Sequence, residues 1–144
     1  GWKMGYCLGP ENLMKAFRAI HQWNVFSVNS FVQYALADHV QNSESYSNLA
    51  DFYEKKRNFF NDKMSGSRLK ALPCHGTYFQ IFDYSDISEM NDMEFMQWLA
   101  KEHGVACIPV SAFYADKRQE KVVRFCFAKT EDVLDAAAVK LCQV

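Results

Sequence analysis

From residue 69 to the end, short apolar runs of strand length alternate with stretches whose apolar residues recur at helical spacing. That alternation limits the fold more than any other feature of the chain. Residues 69–72, 78–83, the run VACIPV (105–110) and 122–128 read as strands. Between them, Asn91 followed three residues later by Glu94 forms a capping-box signature, and Phe95, Trp98 and Leu99 then share one helical face. Gly104 stops that helix, and Thr130 caps a last one carrying Val133, Leu134, Ala137 and Leu141. A longer amphipathic helix precedes the series, marked by Leu49, Phe52, Tyr53, Phe59, Phe60 and Met64 and ended by MSGSR. Its basic run Lys55-Lys56-Arg57 reads as a solvated helix face. Residues 46–144 are thus expected to form an α+β domain of helices on a small mixed sheet.

The first 45 residues differ. Residues 1–8, rich in Trp, Tyr and Leu, read as a short strand, and Gly9-Pro10 signals a helix start. Leu13, Phe17 and Ile20 recur at helical spacing, VFSVNS breaks the pattern, and Asn29 or Ser30 caps a second helix bearing Val32, Ala35, Leu36 and Val40. QNSESYSN is the most loop-like segment and the expected boundary. Residues 1–45 contain no sheet of their own, and the chain enters a strand-like pattern with no initiator Met. The expectation is a piece of a longer polypeptide.

Bulk properties narrow the function. With 49% hydrophobic and 23% charged residues the chain should fold, and 12 Phe and 7 Tyr promise a well-filled interior. A net charge of −1 gives no footprint for nucleic acid or an anionic membrane. No apolar run approaches the roughly 18 residues that span a bilayer. The five cysteines are scattered, odd in number and without a CxxC pair, which is the usage of small buried hydrophobes in a reducing compartment, hence a cytoplasmic location. Cys74-His75 has no second ligand at zinc spacing, so no metal site is expected. The four histidines lack a companion suited to a hydrolytic triad, and neither GxGxxG nor a P-loop occurs.

One residue resists the pattern. Arg124 lies within a strand-like run otherwise made of Val122, Val123, Phe125, Cys126 and Phe127. Alternation puts Val123, Phe125 and Phe127 on one face and Val122, Arg124, Cys126 and Ala128 on the other. Either that second face nears water and Arg124 snorkels, or Arg124 lines a cleft and offers its planar fork to a carboxylate or phosphate. Periodicity does not choose. Lys3 is either a surface lysine or a ligand, and Phe26, between two helices, is either packing or interface.

The segments GWKMGYCLGPENLMKAFRAIHQWNVFSVNSFVQYALA, GTYFQIFDYS, EHGVACIPVSAFYAD and VVRFCFAKTEDVLDAAAVKL, in this order, resemble the C-terminal part of fold-type I aminotransferases. The resemblance is closest to the branch with methionine-preferring, kynurenine and glutamine transaminases. It implies the α/β pyridoxal-phosphate-dependent transferase fold, with residues 1–45 the tail of the large cofactor-binding domain and 46–144 the C-terminal small domain. It further implies that Arg124 grips the substrate α-carboxylate and that Lys3 binds the phosphate of pyridoxal phosphate. Phe26 would reach the neighbouring subunit's pocket in a homodimer, and Phe113 and Tyr114 would stand near the substrate side chain. The lysine that holds the cofactor lies upstream of Gly1 in the family pattern. These residues alone are therefore expected neither to hold pyridoxal phosphate nor to transaminate. The whole enzyme would move an amino group between an amino acid (methionine, glutamine or an aromatic one) and a 2-oxo acid. A carbon–sulfur β-lyase of the same fold, and a stand-alone binding domain, are the alternatives.

Overall fold

The computed structural model describes residues 2–116 and 118–144, which divide into two compact units, Gly1–Asn48 and Leu49–Val144. In the first unit, α1 (Glu11–Asn24) starts directly after Pro10, and α2 (Ser30–His39) is capped by Asn29, whose side chain accepts from the amide of Val32. A single helical turn, α3 (Glu44–Ser47), interrupts the segment read as loop. Residues 2–10 form no strand, contrary to the reading of residues 1–8. Extended backbone needs a ladder partner for its N–H and C=O groups, and none pairs with it among the described residues.

The second unit is built on a four-stranded sheet. Its strands are β1 (Lys70–Ala71), β2 (Phe79–Asp83), β3 (Ile108–Pro109) and β4 (Val122–Cys126), in the order β1-β2-β4-β3. Every pairing is antiparallel, so the expected mixed sheet is corrected. β2 and β3 do run the same way, but β4 lies between them and denies them a parallel ladder. The helices α4 (Leu49–Lys63), α5 (Asp92–Trp98) and α6 (Glu131–Leu141) complete the unit.

The core follows the strand alternation. Val123, Phe125 and Phe127 are buried together with Phe82, and Phe60 of α4 meets Phe82 and Phe125 with ring centroids 5.9 and 6.4 Å away. Leu134, Ala138 and Leu141 of α6 close this cluster. Tyr84 stacks on Phe95 of α5 at 4.0 Å and donates its hydroxyl to the carbonyl of Met90. Aromatic pairs of this kind add about 0.5–1.5 kcal/mol each beyond the area they bury.

Two surface readings change. The run Lys55-Lys56-Arg57 is not merely solvated: Lys56 donates to the carbonyl of Lys129 at 2.6 Å and Arg57 to that of Cys74 at 3.0 Å, while Arg57 also pairs with Glu54. Long cationic side chains can cover neighbouring loops and satisfy their carbonyls, an outcome helical periodicity does not show. Nor are all the cysteines buried hydrophobes. Cys7, Cys126 and Cys142 are exposed, Cys74 and Cys107 half-buried, and all five are free thiols. Cys126 projects from the same sheet face as Arg124, which the core does not cover. No helix of the described residues is long and apolar enough to cross a membrane.

Candidate functional site

Arg124 stands mid-sheet, on β4, with Ile81 of β2 and Ile108 of β3 as its cross-strand neighbours. Its side chain leaves the face opposite the Phe60–Phe82–Phe125 cluster and is half-buried. Its guanidinium carbon lies 4.4 Å from the ring centroid of Phe79 and 5.0 Å from that of Phe113. Cation–ring contacts contribute from about 0.5 to 2 kcal/mol, more as water is excluded. They engage the π-faces of the rings and use none of the guanidinium's hydrogen-bonding capacity. Among the described residues Arg124 makes no ion pair and no hydrogen bond, whereas Arg57, Lys63, Lys70, Arg118 and Lys121 all have carboxylate partners. A cation held by two rings, with its N–H fork free, is arranged to receive an anion in two-pronged geometry.

Phe113 is delivered by a 3₁₀ turn, Val110–Phe113, that follows directly from Pro109. The turn is closed by the amide of Tyr114, which donates to the carbonyl of Ser111 at 3.1 Å. Ser111 is buried and ends on Asp92, the first residue of α5. Its amide donates to one carboxylate oxygen at 2.7 Å and its hydroxyl to the other at 2.6 Å. Tyr114 is engaged elsewhere: its hydroxyl donates to Glu120 at 3.0 Å, and Arg118, itself paired with Glu120, lies over its ring. Arg124 and Phe113 are thus brought together, and the side chain of Tyr114 is held within its own loop. Beside the turn, burial and the Asp92 charge push the Cys107 thiol up to about 12.

Lys3 and Phe26 belong to the first unit. Both adopt left-handed backbone, φ 56° and 62°, alongside only Thr77 and Lys121 among the described non-glycine residues. A side chain in that region costs on the order of 1–2 kcal/mol, so such residues concentrate where a side chain must be aimed. The side chain of Lys3 is exposed and has no ion-pair partner among the described residues, and the ring of Phe26 is 86% exposed. An unpaired ammonium is the donor chemistry that an anion such as a phosphate needs.

A family model described as aminotransferase class I and II matches residues 1–141. The chain belongs to this family. Its enzymes use pyridoxal phosphate. The chain is 49% identical over 145 residues to the methionine aminotransferase of Escherichia coli K12, covering 100% of this chain and 38% of the relative. It is 32% identical over 163 residues to human kynurenine–oxoglutarate transaminase 1, covering 98% of this chain and 39% of the relative. The crystal structure of an E. coli methionine aminotransferase matches with a TM-score of 0.87 at 49% identity, over 99% of this chain and 38% of that one. An N-succinyldiaminopimelate aminotransferase from Mycobacterium tuberculosis matches with 0.84 at 27% identity, again over 99% and 38%. The chain therefore spans little more than a third of the length of these relatives.

Sequence reasoning missed Phe79, Asp92 and Ser111. Phe79 stands out in no window of the sequence: only the pairing of β2 with β4 sets it, two residues from Ile81, on the face of Arg124. Asp92 carried no signal either: an acid in a first helical turn is commonplace.

Proposed function

We propose that these residues are the C-terminal portion of a pyridoxal-phosphate-dependent aminotransferase, with residues 1–45 the end of its large domain and 46–144 its small domain. In this reading Arg124 receives the α-carboxylate of an amino acid through two charge-assisted hydrogen bonds. The rings of Phe79 and Phe113 limit where the guanidinium can go, so that the substrate is oriented as well as held. Lys3 holds the cofactor phosphate, and Phe26 lines the pocket of a second subunit in a homodimer. Pyridoxal phosphate, when bound, supplies the electron sink that labilises the amino acid's Cα–H bond. Phe113, Ile81 and Ile108 surround the cation with apolar surface, which suits an uncharged substrate such as methionine, glutamine or an aromatic amino acid. A cytoplasmic location goes with that chemistry.

The observation that carries this reading is a guanidinium with no ion-pair or hydrogen-bond partner among the described residues, braced by two rings, in a chain of this family. Its test is Arg124→Lys in the whole protein. Hydrogen bonds to charged groups are worth about 1.5–3 kcal/mol, and lysine keeps the charge while losing the second prong. The KM for the amino acid should rise by about 10- to 100-fold. The product should be a 2-oxo acid that keeps its side chain. An unchanged KM, or pyruvate and a thiol as products, would overturn the assignment.

A further inference from the structure

The carboxylate of Asp92 is the one acidic side chain of the described residues classed as buried, at 1% exposure, and no lysine or arginine pairs with it. A carboxylate removed from water without a counter-cation is costly unless hydrogen bonds satisfy its oxygens. Both its oxygens are taken by a single residue, Ser111, through the amide at 2.7 Å and the hydroxyl at 2.6 Å. Asp92 is itself fixed. It follows Asn91, whose reciprocal hydrogen bonds with Glu94 lock the first turn of α5, and its own amide donates to the Gln119 side chain at 3.3 Å. Two residues beyond Ser111, within the same turn, stands Phe113, whose ring braces the guanidinium of Arg124. The chain of contact is unbroken from α5 to Arg124.

We propose that Asp92 is a positioning residue: by clamping the amide and hydroxyl of Ser111 it sets the turn that aims Phe113, and so holds Arg124 at the angle that meets the substrate carboxylate. This rests on the role given to Arg124 above. The clamp acts on the grip alone, so it affects substrates that carry an α-carboxylate and spares those that lack one.

The test uses the whole protein loaded with pyridoxal phosphate, with Ser111→Ala, Asp92→Ala and Asp92→Asn. The two alanine variants should raise KM for the amino acid by about 10-fold, the size that follows from losing one hydrogen bond that holds the binding group in place. The concentration of the corresponding amine without a carboxylate that gives half the maximal single-turnover rate should not move. Asp92→Asn keeps an acceptor for the Ser111 amide and offers an N–H to its hydroxyl, so it should restore most of the affinity. A second readout is independent of turnover: the ring-shifted Nε–H resonance of Arg124 in protein with ¹⁵N-arginine. It should move toward that of an exposed arginine in Ser111→Ala and Asp92→Ala, and stay in place in Asp92→Asn. Should Asp92→Ala fail to fold, Ser111→Ala, which removes a single oxygen, decides the matter. Parallel loss on both substrates together with a lowered melting temperature, or an unmoved Arg124 resonance in Ser111→Ala, overturns the inference. Arg124→Ala separates the two levels. If it leaves the amino-acid KM unchanged, the functional reading fails. If it raises KM while the Ser111 and Asp92 variants are silent, only the positioning role fails.

Discussion

Cys107 and Asp83 show how the fold sets titration in opposite directions. The Cys107 thiol is pushed up to about 12, chiefly because burial penalises its thiolate and secondarily because Asp92 repels it. The folded chain keeps a proton that the unfolded chain gives up at about 9. The stabilisation is therefore whole below that value and is lost as pH rises from there toward about 12. At pH 8 a thiolate-seeking reagent should label exposed Cys7, Cys126 and Cys142 and spare Cys107, as peptide mapping would show; equal labelling would refute it. Replacing Cys107 with valine should flatten the alkaline fall in the denaturation midpoint. Asp83 has the other sign: the amide of Ser85 donates to it at 2.7 Å and holds its carboxyl below the usual range. Its contribution is present at neutral pH and fades as pH falls below about 3.9. The candidate site was legible at Arg124 because a guanidinium breaks an apolar strand pattern. Phe79 and Asp92 were not, since a ring among rings and an acid in a first helical turn break nothing.

Local chemistry explains which elements could be read in advance. The Asn91 and Glu94 pair forms the full reciprocal box, and Gly104 ends the following π-helical turn, Leu99–His103, at φ 64°. Both signals are short-range, so a short window of sequence exposes them. Strand lengths are not short-range. The run at 105–110 yields only Ile108–Pro109 as strand, on the sheet edge, because Pro109 has no N–H to extend a ladder and the chain turns at once into the segment bearing Ser111. The sheet's handed-over strand order, with β4 entering between β2 and β3, depends on long-range packing that no window of residues contains. Two substitutions weigh the local signals. Asn91→Ala should destabilise by about 1 kcal/mol through the lost cap. Gly104→Ala should cost about 1–2 kcal/mol, nearly all of it backbone strain, since an added Cβ meets only the flexible tip of Lys140 at 3.3 Å. Denaturant midpoints measure both, and a neutral Gly104→Ala would contradict the left-handed cap.

The two units differ in what they bury. In residues 2–48 nothing is buried, and Trp2, Tyr6, Leu8, Trp23, Phe26, Phe31 and Tyr34 are each at least two-thirds exposed. Residues 49–144 hold the whole of the buried core, from Phe60 to Leu141, and the complete sheet. Hydrophobic patterning in the first 45 residues forecast helices correctly, because periodicity reports which face wants cover. It does not report whether cover is supplied by the same residues. Burial thus places folding free energy in one unit and adhesive surface in the other. A chain of residues 49–144 alone should therefore unfold cooperatively and sediment as a monomer. The 144-residue chain should self-associate as its concentration is raised. Sedimentation together with calorimetry reads both quantities. A non-cooperative transition for 49–144, or a strictly monomeric 144-residue chain at high concentration, would show that the first unit contributes to the core or shields its own apolar faces.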